Sequence, residues 1–162
     1  MMDKLIERFP AQLAESLAIG EAATITAPEK TINKIYVAGL GGSGIGGEFV
    51  AEMVADECKV PYLIGKGYGI PAYVDENTLA IISSYSGNTE ETIEAFHKAK
   101  AKNAEIACVS SGGQLIELAK ENNLNYIQLP SGDSPRAMMG YSITQLLYVL
   151  NLKNFTDQIN IF

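Results

Sequence analysis

The chain has 162 residues, 47% of them hydrophobic, with 12 Lys and Arg against 19 Asp and Glu for a formal charge of −7. A chain near this length buries roughly two-thirds of its unfolded surface in one core, whereas two full domains need about 200 residues or more, so one domain is expected. The acidic balance without any run of Lys or Arg argues against nucleic acid and anionic membrane surfaces as partners, 19% charged residues argue against disorder, and no stretch approaches the ~20 apolar residues of a membrane span.

Residues 3–26 read as helical, because Leu5, Phe9, Leu13 and Leu17 recur every four residues and stack on one face. Pro10, tolerated only in the first turn of a helix, divides this segment. Residues 32–40 form an apolar, β-leaning run that ends in Gly39, Leu40, Gly41, Gly42, Ser43 and Gly44, and a helical pattern follows through Phe49, Val50, Met53 and Val54. Residues 60–64 and 78–83 are further strands. The second of them runs into Ser84, Tyr85, Ser86, Gly87, Asn88 and Thr89 before a helix over about 90–102. A strand over 104–109 leads to Ser110, Ser111, Gly112 and Gly113, which open a helix ending near Asn122. The last strand is 126–129, and a loop over 130–135 precedes a long apolar helix over about 136–150.

Strands alternating with helices of this length imply parallel strands joined by right-handed crossovers. Their continuous apolar character fits a sheet covered on both faces. The expected fold is α/β: a three-layer αβα sandwich on a five-stranded parallel sheet. Residues 1–30 form an N-terminal helical segment packing on the domain, 31–152 the domain itself, and 153–162 a C-terminal tail or linker. In such sheets ligands bind beyond the carboxyl ends of the strands, where this sequence places its Gly, Ser and Thr clusters.

The opening Met1, Met2, Asp3, Lys4 lacks the features of a signal peptide. Cys58 and Cys108 each lie in an apolar stretch, as buried free thiols of a reducing compartment do, and a cytoplasmic setting is expected. One His and no paired Cys or His spacing argue against a metal site.

Gly39, Gly41 and Gly44 make a G-x-G-x-x-G pattern in dinucleotide-binding context. The acid that should hold the ribose at the end of the next strand is missing, although Lys66 keeps NADP open. A Walker loop fails because Gly47 stands where lysine is required. Two plainer readings also remain: glycines that permit a tight turn and close helix–strand packing, or an anion site at a helix N-terminus.

Ser84, Ser86 and Thr89 place three hydroxyls within six residues at a strand-to-helix turn. Hydroxyls and free backbone N–H groups there can wrap the oxygens of one phosphate. Asn88 and Glu91 alone could form a capping box, but that leaves Ser84 and Ser86 idle, so phosphate binding is favoured. Glu90 and Glu91 would oppose the anion unless they point away from it.

Together, Gly41 to Gly44 and the run from Ser84 to Thr92 resemble the sugar isomerase (SIS) domain, a flavodoxin-like phosphosugar-binding module. Ser134, Pro135, Arg136, Ala137, Met138, Met139, Gly140, Tyr141 and Ser142, with Phe9, Pro10 and Gln12, are similar to the N-terminal half of bifunctional glucose/mannose-6-phosphate isomerases. The resemblance covers about residues 5–150. It implies that Gly42, Ser43, Gly44, Ser84, Ser86, Gly87 and Thr89 hold the sugar phosphate, with no cofactor and no metal, and that Arg136 stabilises the enediolate. Independently, Ser134 and Pro135 are good N-cap and N1 residues, which sets Arg136 at a helix N-terminus against the helix dipole. An arginine held against its local field is expected to serve a ligand.

Aldose–ketose isomerisation also needs a base. The resemblance implies that the glutamate base, a histidine and a lysine come from a second SIS half that this chain does not contain, and His97 reads as a surface residue of a helix. The expected function is the phosphosugar-binding half of such an isomerase, lacking its base. It would take fructose, glucose or mannose 6-phosphate and pair as a homodimer or with a second SIS half. The alternatives are a stand-alone sugar-phosphate-sensing or interaction module and, third, an NADP-binding domain.

Overall fold

The computed structural model describes residues 2–156. Two helices, α1 (Met2–Glu7) and α2 (Phe9–Ala22), precede a regular alternation of strand and helix. It runs β1 (Lys34–Gly39), α3 (Gly42–Met53), β2 (Tyr62–Gly65), β3 (Thr78–Ser83), α4 (Glu90–Ala101), β4 (Glu105–Ser110), α5 (Gly113–Glu121), β5 (Asn125–Gln128) and α6 (Met139–Leu152). A 3₁₀ turn, Pro135–Met138, leads into α6. All strand pairings are parallel, in the order β2-β1-β3-β4-β5, which is the flavodoxin-like arrangement.

The strands divide their side chains between two helical layers, as a doubly covered sheet requires. Ile35, Val37, Leu79, Ile81, Ala107 and Val109 pack toward α3 and α6, while Tyr36, Ala38, Ala80, Ile82, Ile106 and Cys108 pack toward α4 and α5. The central strand β3 is buried at every position.

The N-terminal helices depart from expectation in their packing. The buried row of α2 is Gln12, Ser16 and Gly20, while Phe9 is exposed and Leu13 and Leu17 are half-buried; the side chain of Leu5 lies outside the described residues. The reason is the partner. Helix α6 turns apolar residues to the sheet and receives α2 on its other side, where Gln12, Ser16 and Gly20 are buried and Phe9 and Leu13 lie over Gly140 at the start of α6. The ring of Tyr148 lies against Gly20, and Gln145 donates its Nε2–H to the Ser16 carbonyl at 2.8 Å. An alanine Cβ at position 20 would stand 2.0 Å from the Tyr148 ring. Gly20→Ala is therefore expected to cost about 1–3 kcal/mol by overpacking, read as a lower urea midpoint.

Lys153, just past α6, is buried and ion-paired with Glu105 at the start of β4. Phe155 and Thr156 are also buried, so the expected tail is packed on the domain as far as Thr156; residues 157–162 lie outside the described residues. Cys108 is fully buried, and burial pushes its thiol up to about 12. Cys58 departs from expectation: it is only half-buried, with its Sγ–H donating to the Val60 carbonyl at 3.3 Å. Among the described residues, no helix is long and apolar enough to cross a membrane.

Candidate functional site

In a sheet of this order the crossovers leave in opposite directions from β1 and β3, opening a crevice at their carboxyl ends. Both glycine and serine clusters of the sequence meet there. After β1 the chain passes through Gly41 into α3, and Gly44 is pressed against the strand it has just left: a Cβ on it would stand 2.8 Å from the Gly39 carbonyl oxygen. Gly39 and Gly44 thus serve close helix–strand packing, while a Cβ on Gly41 would meet nothing within 4 Å. Lys66, whose free ammonium would have suited a ribose phosphate, is ion-paired with Glu48 of α3.

The loop after β3 is braced from within. Ser84 is buried; its Oγ accepts the N–H of Gly87 at 3.2 Å and shares a hydrogen bond with Thr89 Oγ1 at 2.9 Å. The backbone N–H of Tyr85 donates to Ser43 Oγ at 3.2 Å, which ties the two loops together. The Tyr85 hydroxyl donates to the Pro130 carbonyl at 3.1 Å, and burial raises its pKa.

The capping box does not form. Thr89 holds the N-cap position of α4 without a side-chain cap bond, and Asn88 Oδ1 instead accepts the N–H of Gln114 in the first turn of α5, at 2.9 Å. What claims Asn88 is a neighbour distant in sequence, the loop after β4. Ser111 donates its backbone N–H to the Tyr85 carbonyl at 3.0 Å, and Leu115 donates its own to the Gly87 carbonyl at 2.9 Å. Sequence reading found the Ser and Gly residues at 110–113 but gave them no role. Their signal was present: the same small, polar composition at the end of the strand beside β3.

Between the loops lies a cleft of about 220 Å³, lined by Leu40, Gly41, Gly42 and Ser43 on one side, Tyr85, Ser86 and Thr89 on the other, and closed by Pro135. Of the expected site residues, Gly42, Ser43, Ser86 and Thr89 line this cleft. Gly44, Ser84 and Gly87 stand behind its walls and shape them. Tyr85, Leu40 and Pro135 belong to the sequence motifs but were given no place in the expected site.

Arg136 follows Pro135 at the rim. It is exposed and has no hydrogen-bond or ion-pair partner among the described residues, and Asp133, three residues before it, pairs with Arg8 at 3.7 Å. It sits in the 3₁₀ turn whose N-cap is Ser134 and whose first residue is Pro135, as expected, and α6 follows directly at Met139. Arg136 thus stands in the first turn of a helical segment, where the peptide dipoles disfavour a cation, beside the cleft and with no anion of the described residues to neutralise it.

Among the described residues, no Asp, Glu or His lines the cleft. Glu90, in the first turn of α4, accepts a hydrogen bond from the Tyr68 hydroxyl at 3.3 Å, and the charges of Glu90 and Glu91 raise the Tyr68 pKa. His97 is exposed on α4, edge-on to Phe96. The lining thus offers the start of α3, where Gly41 at the N-cap has no side chain, the start of α4, and the hydroxyls of Ser43, Ser86 and Thr89. Donors without an acidic neighbour, at helix N-termini, favour an anion.

A family model described as SIS domain matches residues 30–151. A bifunctional phosphoglucose/phosphomannose isomerase of Caldicellulosiruptor bescii is 43% identical over 90% of this chain, and the chain spans 43% of that relative's length. The C-terminal domain of glucosamine-fructose-6-phosphate aminotransferase from Francisella tularensis superposes with a TM-score of 0.72 at 20% identity, covering 98% of this chain and 50% of that one. The NanR protein of Vibrio vulnificus, solved complexed with ManNAc-6P, superposes with a TM-score of 0.61 at 16% identity, covering 94% of this chain and 60% of that one.

Proposed function

The chain belongs to the SIS domain family, and from that membership together with the chemistry of the cleft we propose that it binds the phosphate of a hexose 6-phosphate as one half of a glucose/mannose-6-phosphate isomerase. The observation that carries the reading is a cleft at the β1/β3 switch lined by the hydroxyls of Ser43, Ser86 and Thr89 and, among the described residues, by no carboxylate. Gly42 gives the anion backbone access; Gly44, Ser84 and Gly87 hold the loops in shape.

Arg136 then meets the sugar end of the ligand. In aldose–ketose isomerisation a proton is removed from the carbon next to the carbonyl, and negative charge collects on the enediolate oxygens, where a guanidinium stabilises it. Glucose and mannose 6-phosphate differ only at C2, so one planar enediolate leads to either. The base that removes the proton must come from elsewhere, because no acid or imidazole of the described residues lines the cleft. A second SIS half or a second copy of the chain supplies it on this reading. The −7 charge supports neither nucleic acid nor an anionic membrane as a partner. Phosphorylated sugars do not cross membranes unaided, which supports a cytoplasmic setting.

Titration calorimetry of the chain with fructose 6-phosphate tests the reading. Saturable binding displaced by inorganic phosphate, without turnover by the chain alone, is the expected result. No binding at millimolar ligand would overturn the phosphosugar assignment, and turnover by the chain alone would overturn the external base. Arg136→Gln is expected to weaken a phosphorylated sugar acid, which carries an anion at the enediolate end, by about tenfold, and inorganic phosphate little. Equal weakening of both would move Arg136 to the phosphate.

A further inference from the structure

The loop after β2, residues 66–69, bridges the two helices whose N-termini frame the cleft. Lys66 at its root is ion-paired with Glu48 of α3, and its Cγ lies 3.4 Å from where a Cβ on Gly44 would stand. Two residues on, the Tyr68 hydroxyl donates to Glu90 Oε2, in the first turn of α4, at 3.3 Å. Gly69, at φ +82°, keeps the chain against the same helix, where a Cβ would meet Lys98 Nζ at 3.4 Å. The Tyr68 ring is 62% exposed, so packing does not account for it. What it contributes is the hydroxyl.

Its partner is the carboxylate best placed to oppose an anion in the cleft. Glu90 is the first residue of α4 and follows Thr89, which lines the cleft. Thr89 makes no side-chain cap bond, so the N–H groups of this first turn are open to an anion. The dipole that favours a phosphate there favours a first-turn carboxylate equally. Left free, Glu90 turns back toward those donors and competes with the ligand for them. Glu94, one turn further along, is already held by Lys98. The charges of Glu90, Glu91 and Glu94 raise the Tyr68 pKa, which keeps the phenol a donor across the neutral range.

We propose that Tyr68 is a positioning residue of the anion site: its hydroxyl holds the Glu90 carboxylate toward the loop after β2, away from the first-turn N–H groups and the Ser86 and Thr89 hydroxyls that a phosphate needs. Lys66 acts with it by fixing the root of the loop on α3. The inference deepens the proposed function and rests on its reading of the cleft as a phosphate site. A carboxylate that moves from about 10 to about 7 Å from a phosphate of charge near −2, at an effective dielectric of about 20, weakens binding roughly tenfold. One hydroxyl on an exposed loop thereby governs affinity without touching the ligand.

Calorimetry of the whole chain and its variants with inorganic phosphate and with fructose 6-phosphate tests the proposal. Tyr68→Phe is expected to raise the Kd for both about five- to tenfold with the urea midpoint unchanged. Tyr73→Phe, at an exposed tyrosine of the same β2–β3 connection, should leave both constants as they are. In a Glu90→Gln background Tyr68→Phe should change Kd less than about twofold, whereas in a Glu91→Gln background the loss should persist. A ring that merely braces the loop would lose affinity whichever residue stood at position 90. About 0.5 M salt should shrink the Tyr68→Phe deficit by screening the opposing charge. Wild-type affinity in Tyr68→Phe overturns the proposal, as does a loss that Glu90→Gln fails to relieve. Phosphate binding with this coupling but no binding of fructose 6-phosphate would refute the hexose phosphate reading alone, and fructose 6-phosphate binding without the coupling would refute the role of Tyr68 alone. A chain that binds neither anion overturns both.

Discussion

Gly87→Ala is expected to abolish sugar-phosphate binding and to destabilise the domain by about 3–5 kcal/mol, near the upper end for a single substitution. Two costs combine. Gly87 has φ +70°, a left-handed conformation that costs an L side chain roughly 1–2 kcal/mol. An alanine Cβ would also stand 1.8 Å from the Gly112 carbonyl oxygen and 2.7 Å from Ser110 Oγ. Neither loop can give way, because Gly87 itself accepts the Leu115 N–H at 2.9 Å and Tyr85 accepts that of Ser111 at 3.0 Å. Relieving the clash means parting the loops after β3 and β4, with the loss of several bonds worth about 0.5–1.5 kcal/mol each. The Gly87 N–H would leave Ser84, and Ser86 and Thr89 would lose their place in the cleft. Gly41→Ala is the comparison: with φ +57° and ψ −127° it too is in a conformation L residues rarely adopt, but a Cβ there meets nothing within 4 Å, so only the conformational cost of about 1–3 kcal/mol is expected. Urea unfolding and calorimetry with fructose 6-phosphate check both variants; equal losses would show that strain and not the Gly112 contact governs position 87.

The same contrast between local and distant causes explains what the sequence disclosed. Strand β3 was legible to the residue, and α4 nearly so, because an apolar run bounded by Ser and Gly carries its own limits. The sandwich followed from the alternation. The face of α2 was not legible: a four-residue period of leucines is the stronger local signal, but the close approach of α6 favours the row with Gly20. Asn88 fitted a capping box with Glu91, yet the first turn of α5, more than twenty residues onward, takes its carboxamide. Arg136 does stand in a helical turn that Ser134 caps and Pro135 opens, but that turn is 3₁₀ and the long helix proper begins three residues later. In the candidate site, sequence collected the right loops but could not separate residues that face the cleft from those behind it, since serine and glycine do both. Burial and hydrogen bonding separate them.

Ser84→Ala and Ser86→Ala are accordingly expected to weaken the same ligand for different reasons. Ser86 is exposed in the cleft wall, and its Oγ accepts the Asn88 N–H at 3.3 Å, which leaves its own proton free for a phosphate oxygen. A hydrogen bond to a charged group is worth about 1.5–3 kcal/mol, so Ser86→Ala should raise the Kd for fructose 6-phosphate roughly 10–100-fold. Its stability should stay within about 0.5 kcal/mol of wild type, as at other surface positions. Ser84 is buried, bonded to Gly87 and Thr89, and absent from the cleft lining. Removing its hydroxyl strips a bond from both, with an expected stability loss of about 1–3 kcal/mol. Affinity then falls because the Thr89 hydroxyl is no longer aimed. Isothermal calorimetry and urea midpoints on the same preparations separate the two effects. If Ser84→Ala keeps full stability and still loses more affinity than Ser86→Ala, Ser84 touches the phosphate directly. If neither variant loses affinity, the phosphate is bound outside this cleft.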